Sequence, residues 1–223
     1  MTIKTEELSG MAYCWCSLTS GKNLMSCWDA FPEISCTLEE GNCYGLISDF
    51  ACGSWGFART LAGYGKLMSG RIIISNQEIT GKELRLISCL VGELPGDASR
   101  CKRSKMVKYI EAAIKKNNYS GYRLDELLDI FEIAKTRMHR PLSGIGCEIW
   151  RFSMLAGYLA KKSLYVFPWM NEGNLVWIEK LSHIIHFLQQ QGNTILLPTY
   201  HLDEVRSNCD AIIDWRLKSN MDG

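Results

Sequence analysis

The residues from Ser48 to Gly56 stand where a protein could bind phosphate groups. They follow a short apolar run, Tyr44–Ile47, that is typical of a buried strand, and they precede a segment with helical spacing. A strand, a tight loop and a helix N-terminus suit phosphate binding, because glycines let successive N–H groups converge on the phosphate oxygens. A lysine then reaches the terminal phosphates and a Ser or Thr holds Mg²⁺. The sequence therefore places a candidate phosphate-binding loop between residues 48 and 56.

The elements that would position this loop alternate between strands and helices. The predicted strands are Glu33–Leu38, Tyr44–Ile47, Arg71–Ser75, Ser163–Phe167, Thr194–Leu197 and Ala211–Ile213. The predicted helices are Phe57–Leu67, Met106–Lys116, Leu124–Lys135, Leu175–Gln190 and Asp203–Cys209, with a turn at Met68–Gly70 and a further helix that ends in 157–162. The alternation predicts an α/β fold with a largely parallel sheet, on which ligands bind at the carboxyl ends of the strands.

Length and composition are those of an ordinary globular protein. The chain has 223 residues, 47% of them apolar and 22% charged, which excludes disorder or a coiled coil as its main character. The net charge of +1 gives no argument for nucleic-acid binding, so no nucleic-acid partner is expected. No apolar run reaches the length of a membrane span and the first residues do not resemble a signal peptide. The ten cysteines form no C-x-x-C pair, and we expect free thiols and no metal site.

Two stretches of the chain carry a more specific signal: TLEEGNCYGLISDFACGSWGFARTLAGYGKLMSGRIIISNQEIT around the loop, and GNTILLPTYHLDEVRSNCDAIIDW near the end. Their order and spacing resemble those of the nucleotide-binding subunit of an ATP-binding-cassette (ABC) transporter, over nearly all of residues 30 to 215. The resemblance implies a P-loop-like ABC ATPase core with a mainly parallel sheet, a small N-terminal antiparallel β part and a helical subdomain. It also implies a single domain over residues 1–223, with the helical subdomain inserted at roughly 95–155.

The phosphate loop departs from the family pattern G-x-x-x-x-G-K-[ST]. Ser48 stands at the first glycine and Ala51 at an intermediate one, and both are expected to resist the positive φ that glycine allows. Ser54 stands at the lysine and cannot supply its cation. Trp55 stands at the Mg²⁺-binding Ser or Thr, where an indole cannot ligate a metal, and Gly56 stands at the following threonine. If nucleotide binding is retained, the residues that bind it are Gly53, Ser54, Trp55 and Gly56.

The family's catalytic positions are replaced as well. In LYVFPWMNEG, Pro168 stands at the Mg²⁺-binding Asp and Trp169 at the catalytic Glu, and neither can bind a metal or act as a base. Tyr200 stands at the switch histidine, with His201 one position later. These substitutions remove the groups that position the phosphates, bind the metal and act as the base. We therefore expect no catalytic residue, no metal and no cofactor. ATP and Mg²⁺ are expected only if a divergent mode of binding is retained. We expect Trp55 and Trp169 to pack together in the vacated site.

The segment Leu142-Ser143-Gly144-Ile145-Gly146 resembles the family's signature motif L-S-G-G-Q. The helix that follows matches the family only with one to three residues inserted near Cys147-Glu148. In the family this motif completes the nucleotide site of the partner chain, so it can serve a partner even where its own chain is inactive. The signature-like residues are Ser143, Gly144 and Gly146. Tyr13 or Trp15 would be the aromatic residue that stacks on adenine.

The resemblance implies a catalytically degenerate subunit that docks on a membrane permease at the cytoplasmic face and pairs with a second ABC ATPase chain, as a heterodimer or a homodimer. Docking would use a groove bordered by Glu93-Leu94-Pro95 and by the start of the helix at Met106, with Gly92 or Glu93 at the family's glutamine position. Two alternatives remain open. One is a divergent but active ATPase that drives transport, and the other is a fold repurposed as a soluble binding or regulatory protein.

Overall fold

The computed structural model describes residues 1–17, 24–93 and 105–216 of the chain. Its strands are β1 (Ile3–Ser17), β2 (Leu24–Leu38), β3 (Cys43–Ile47), β4 (Gly65–Ile74), β5 (Gln77–Glu78), β6 (Ser88–Leu90), β7 (Leu164–Val166), β8 (Thr194–Thr199) and β9 (Ala211–Asp214). Its helices are α1 (Ser54–Leu61), α2 (Gly81–Ile87), α3 (Met106–Lys116), α4 (Leu124–Ile130), α5 (Ile149–Leu159), α6 (Glu172–Gln190) and α7 (Leu202–Arg206). This mixed α/β architecture confirms the predicted fold class.

The parallel sheet has the strand order β6-β7-β8-β3-β9. Every residue of β3, β7 and β8 is buried, which explains why these strands appear in the sequence as apolar runs without alternation. β3 lies between β8 and β9, and its last residue, Ile47, pairs with Thr199 and Asp214. The carboxyl ends of β3, β7 and β8 therefore meet at one edge of the sheet, where the candidate phosphate loop begins.

The antiparallel sheet has the strand order β2-β1-β4-β5 and contains most of what the sequence did not predict. Of β1 and β2, only Glu33–Leu38 was predicted. Along β1 the side chains alternate between the two faces: Ala12 and Cys14 are buried, whereas Tyr13 and Trp15 are exposed. The buried face of this sheet packs on α1 and joins one apolar core with strands of the parallel sheet.

The helix predicted at Phe57–Leu67 ends earlier, at Leu61, which is the last residue of α1. Gly63 adopts a φ of +83°, and its N–H donates to the Thr60 carbonyl at 2.9 Å, so the chain leaves the helix through a glycine cap. β4 then begins at Gly65, inside the stretch predicted to be helical. Met68–Gly70, predicted as a turn, lies within β4 where its pairing with β1 shifts register.

The helices α3 to α6 form the other side of the molecule around a second apolar core. α3 has the predicted bounds, whereas α4 ends at Ile130 rather than at Lys135, because Glu132 turns the chain with a φ of +48°. Short 3-10 turns at Leu142–Gly144 and Gly146–Glu148 precede α5. In the parts of the chain that the structure describes, no helix has the length and apolarity that a membrane crossing requires.

Candidate functional site

The loop between β3 and α1 is closed by hydrogen bonds among its own residues and the neighbouring strand. The Ser48 N–H donates to the Thr199 carbonyl at the end of β8, at 3.1 Å. The Ser48 hydroxyl lies 2.8 Å from Ser54 Oγ, and both side chains are buried. Ala51 adopts a φ of +60°, so the expectation that it would avoid the left-handed region is wrong. The loop thus turns into α1 with one glycine, Gly53, between its two buried serines.

A carboxylate that the sequence analysis missed occupies the N-terminus of α1. Asp29, on β2, is completely buried. Its Oδ1 accepts the Gly53 N–H at 2.7 Å and its Oδ2 accepts the Gly56 N–H at 2.6 Å, and the Trp55 N–H also donates to this carboxylate. Burial raises the pKa of the Asp29 carboxyl, and the three amide hydrogen bonds oppose that rise. The amide donors that would hold a phosphate are therefore used within the chain.

Two tryptophans fill the space beside the loop. Trp55 is fully buried and Trp169 is nearly so, and they belong to one apolar cluster with Ala12 and Cys14 of β1. Phe50 lies against both indoles, with ring centroids 6.4 Å from Trp55 and 5.7 Å from Trp169. The structure thus brings the two tryptophans together as the sequence predicted. An indole offers no lone pair to a metal, so this cluster cannot replace the Mg²⁺ ligands that the resemblance implies.

Trp169 and Tyr200, two of the substituted positions, border an open cleft of about 610 Å³ at the carboxyl edge of the sheet. Tyr200 lines this cleft and packs on His201, with ring centroids 4.2 Å apart, whereas Pro168 does not border it. The cleft is lined by Asp49, Phe50, Trp169, Asn171, Glu172, Tyr200 and His201. Residues 1–17, 24–93 and 105–216 contain no group of three or more His, Cys, Asp or Glu side chains that could hold a metal ion. The cleft nevertheless holds two carboxyl groups and an imidazole, from Asp49, Glu172 and His201.

The segment Gly92-Glu93, which the resemblance aligns with the family's glutamine, is held by an internal ion pair. Glu93 Oε1 accepts a hydrogen bond from Arg59 Nη1 of α1 at 2.6 Å, and the Arg59 side chain is almost wholly buried. Burial raises the pKa of Glu93, and the neighbouring guanidinium opposes that rise. The Gly92 N–H donates to Ser153 Oγ of α5 at 2.8 Å, which fixes the segment against the helical side of the molecule.

Next to this ion pair lies a cleft of about 460 Å³ between the core and α5. Its lining includes Tyr64, Leu90 and Glu93 from the core side and Ala160 and Lys162 from the end of α5 and beyond. Of the groove borders predicted from sequence, Glu93 lines this cleft, Met106 does not, and Leu94-Pro95 lies outside the described residues. The cleft is therefore bordered by α5 rather than by the start of α3.

The signature-like residues lie on the surface. Ser143, Gly144 and Gly146 are all exposed, on the two 3-10 turns before α5, while Ile145 between them is buried. Gly146 adopts a φ of +62° and has no atom within 4 Å of the position of an added Cβ. These three residues are therefore accessible to another molecule.

The two candidates for adenine stacking lie on the exposed face of β1. Tyr13 packs on Trp28 of β2, with ring centroids 5.4 Å apart. Trp15 instead lines a narrow gap with Trp55 and Trp150. Tyr13 and Trp28 together expose aromatic surface, and Trp15, which is also partly exposed, borders that gap.

Comparison with solved structures relates this fold to one class of protein. An ATP-binding subunit of an ABC transporter superposes with a TM-score of 0.68 over 96% of this chain and 85% of its own, at 15% identity. A putative ABC transporter ATP-binding protein from Pyrococcus furiosus gives a TM-score of 0.64, covering 97% of this chain and 98% of its own at 17% identity. The structure of cbiO1 from Clostridium perfringens, described as part of the ABC transporter complex cbiONQ, gives 0.64 over 95% of this chain and 84% of its own, at 16% identity.

The chain thus has the fold of the ATP-binding subunits of ABC transporters. No protein-family model matches its sequence, and no curated protein does. The likeness is one of backbone fold, at 15 to 17% sequence identity.

Proposed function

We propose that the chain is a catalytically degenerate ATP-binding subunit of an ABC transporter. In this proposal it docks on a membrane permease at the cytoplasmic face, pairs with a second nucleotide-binding chain and does not itself hydrolyse ATP. The partner chain is either a copy of this one or a related subunit that retains its catalytic residues. The role is structural: the chain occupies one of the two ATPase positions and transmits contacts between its partner and the permease.

The observation that carries the proposal is the filling of the nucleotide site by side chains of this chain. Asp29 takes the amide donors of the loop, and Trp55 and Trp169 occupy the space beside it. Phosphoryl transfer depends on positioned phosphates, Mg²⁺ and a group that orients the nucleophile. None of these requirements has a matching side chain at the positions that the resemblance assigns to them.

The surfaces that serve docking and pairing do not depend on nucleotide chemistry. The cleft between Glu93 and Ala160 is open and partly apolar, and it suits a short amphipathic segment of a permease. Ser143, Gly144 and Gly146 are exposed and small enough for close approach of a partner's nucleotide. A chain with an inactive site therefore keeps the surfaces through which it would act on others.

A second candidate function, a divergent active ATPase, is favoured by one feature of the structure. Asp49, Glu172 and His201 line the same cleft at the carboxyl edge of the sheet. Carboxylates and an imidazole are groups that can bind Mg²⁺ and move protons. This function requires that nucleotide phosphates reach the cleft without the amide donors that Asp29 already uses.

Substitution of Ala160 by glutamate is expected to release the chain from its permease. Ala160 lies at the end of α5 and lines the cleft, so a longer charged side chain would occupy the space that a docking segment needs. A tagged chain would be recovered from detergent-solubilised membranes, and the integral membrane proteins that co-purify would be quantified. We expect Ala160→Glu to lower their recovery about ten-fold, which corresponds to about 1.4 kcal/mol of binding free energy.

The matched control is Val176→Glu, which places the same charge on the exposed surface of α6, away from the cleft. It is expected to leave co-purification unchanged. If the unmodified chain is recovered without any integral membrane protein, the transporter proposal fails and the repurposed soluble fold takes its place. If both variants lower recovery equally, docking does not use this cleft.

A further inference from the structure

We infer that the Asp29 carboxylate is an internal occupant of the anion site at the start of α1, and that it excludes phosphate groups from the loop. The inference rests on the proposed function only in placing the lost nucleotide site at this loop. The experiment that tests this inference measures neither docking nor ATP hydrolysis. It gives the loss of nucleotide binding a specific cause, which is a contact within the chain in addition to the missing lysine and magnesium ligands.

The geometry of the contact is that of a bound anion. Both carboxylate oxygens receive amide N–H groups, from Gly53 and Gly56, and Trp55 supplies a further donor. The Ser54 N–H is directed to the Ser48 hydroxyl at 3.4 Å. Successive N–H groups at a helix N-terminus are what phosphate-binding loops present to their ligand. In this chain each of these donors has a partner from the chain itself.

The negative charge of Asp29 is held by the loop rather than by a cation. In the described parts of the chain, no Lys or Arg forms an ion pair with Asp29, although its side chain is fully buried. A buried carboxylate without a cation is stabilised only if hydrogen bonds and dipoles replace its hydration. The amide groups and the positive end of α1 provide that replacement. A phosphate at the same amides would meet a carboxylate of the same charge.

The lack of a side chain at Gly56 is an independent observation that β2 lies close against the loop. A Cβ added at Gly56 would stand 2.2 Å from the Asp29 carbonyl oxygen and 2.9 Å from its carbonyl carbon. The family resemblance places a threonine here, and a threonine would collide with β2 in this arrangement. Gly53 has more room, since an added Cβ would stand 3.1 Å from Phe31 Cβ, and a φ of +111° is what favours glycine there. The missing side chain at Gly56 therefore permits the close approach of Asp29, which a threonine at this position would prevent.

The test is whether removal of the carboxylate creates a site for inorganic anions. In Asp29→Ala the loop amides lose their acceptor, so the melting temperature is expected to fall by several degrees. Millimolar sulfate or pyrophosphate is then expected to raise it again by about 3 °C or more, in a saturable way, because an anion that binds only the folded state stabilises it. The unmodified chain should change by less than about 1 °C under the same conditions, compared with chloride at equal ionic strength.

The control variant is Glu83→Ala at the start of α2. Glu83 Oε2 also accepts a helix-terminal N–H, from Thr80 at 2.8 Å, but this carboxylate is exposed and has no converging set of buried amides. Its variant should show no saturable response to sulfate. An equal response in Asp29→Ala and Glu83→Ala, or a saturable response of the unmodified chain, would overturn the inference.

A second measurement applies if Asp29→Ala does not fold in chloride. Refolding would then be followed by circular dichroism with and without sulfate, together with Asp29→Asn, which keeps the volume but lacks the charge. Recovery of the folded signal in sulfate, at concentrations that leave Glu83→Ala unaffected, supports the internal anion. Failure of sulfate to recover either variant contradicts it. Neither result alters the expected docking of the unmodified chain, so failure of this inference and failure of the proposed function are distinguishable.

Discussion

Replacement of Trp55 by alanine is expected to lower the free energy of unfolding by about 3 to 5 kcal/mol, measured by equilibrium unfolding in urea. Trp55 has no exposed surface and packs in one cluster with Trp169, Ala12 and Cys14. Removal of an indole from such a site leaves a cavity, because the surrounding strands can collapse only in part. For a domain with a total stability of about 5 to 15 kcal/mol, this is a large fraction of the whole.

The comparison variant is Trp28→Ala, on the outer face of β2. Trp28 is 66% exposed and contacts Tyr13 as an aromatic pair, so its loss should cost no more than about 1.5 kcal/mol. A Trp55→Ala variant as stable as Trp28→Ala would mean that the space beside the loop is not filled. In that case the site would be open to a ligand, and the proposal of a catalytically degenerate subunit would lose its main support.

Replacement of Gly56 by alanine is expected to destabilise the chain by about 3 kcal/mol, although the same change in an unconstrained helix stabilises by up to about 1 kcal/mol. The sign is reversed because the new Cβ would stand 2.2 Å from the Asp29 carbonyl oxygen. The clash is with backbone, so no side-chain rotation relieves it. Either β2 moves away from α1 or the first turn of α1 unwinds, and both break the hydrogen bonds to Asp29.

Gly81→Ala, at the first residue of α2, provides the matched control. A Cβ at Gly81 would have the Gly63 carbonyl oxygen as its nearest neighbour at 3.6 Å, which is an ordinary contact. We expect this variant to be neutral or slightly stabilised. The free energies of unfolding of both variants would be measured in parallel in urea. A Gly56→Ala variant that gains stability would contradict the close approach of β2 to the loop.

The parallel sheet could be predicted from the sequence because its strands are buried on both faces. β3, β7 and β8 consist of short apolar runs, and their alternation with helices implies parallel pairing. β1 escaped prediction because its alternation is interrupted: its pairing with β2 shifts register between Thr5 and Leu8 and again between Leu8 and Gly10. α1 was predicted too long because Phe57, Leu61 and Tyr64 fit a helical period, while the glycine that ends the helix lies between the last two.

The tryptophan cluster could also be predicted, because Trp55 and Trp169 follow strands whose carboxyl ends meet. Asp29 could not. Its partners are backbone amides 24 to 27 residues further along the chain, and a backbone amide leaves no mark in a residue pattern. With the structure known, the sequence Trp28-Asp29-Ala30-Phe31 does hint at this role, because a single acid stands between apolar residues of a strand. The strand was recognised only from Glu33 onward, so this acid had no structural context in the sequence.

The inactivity of the chain as an ATPase is tested by phosphate release from ATP by the purified chain, with and without Mg²⁺. The control variants are His201→Ala and Glu172→Ala, which remove titratable groups from the cleft, and Val176→Glu, which lies outside it. We expect no Mg²⁺-dependent release above a buffer blank for the unmodified chain or any variant, because a phosphate-binding lysine, metal ligands and a catalytic base are missing at the positions that the resemblance assigns to them. Mg²⁺-dependent release that survives in Val176→Glu but disappears in His201→Ala or Glu172→Ala would contradict this expectation and establish a divergent ATPase.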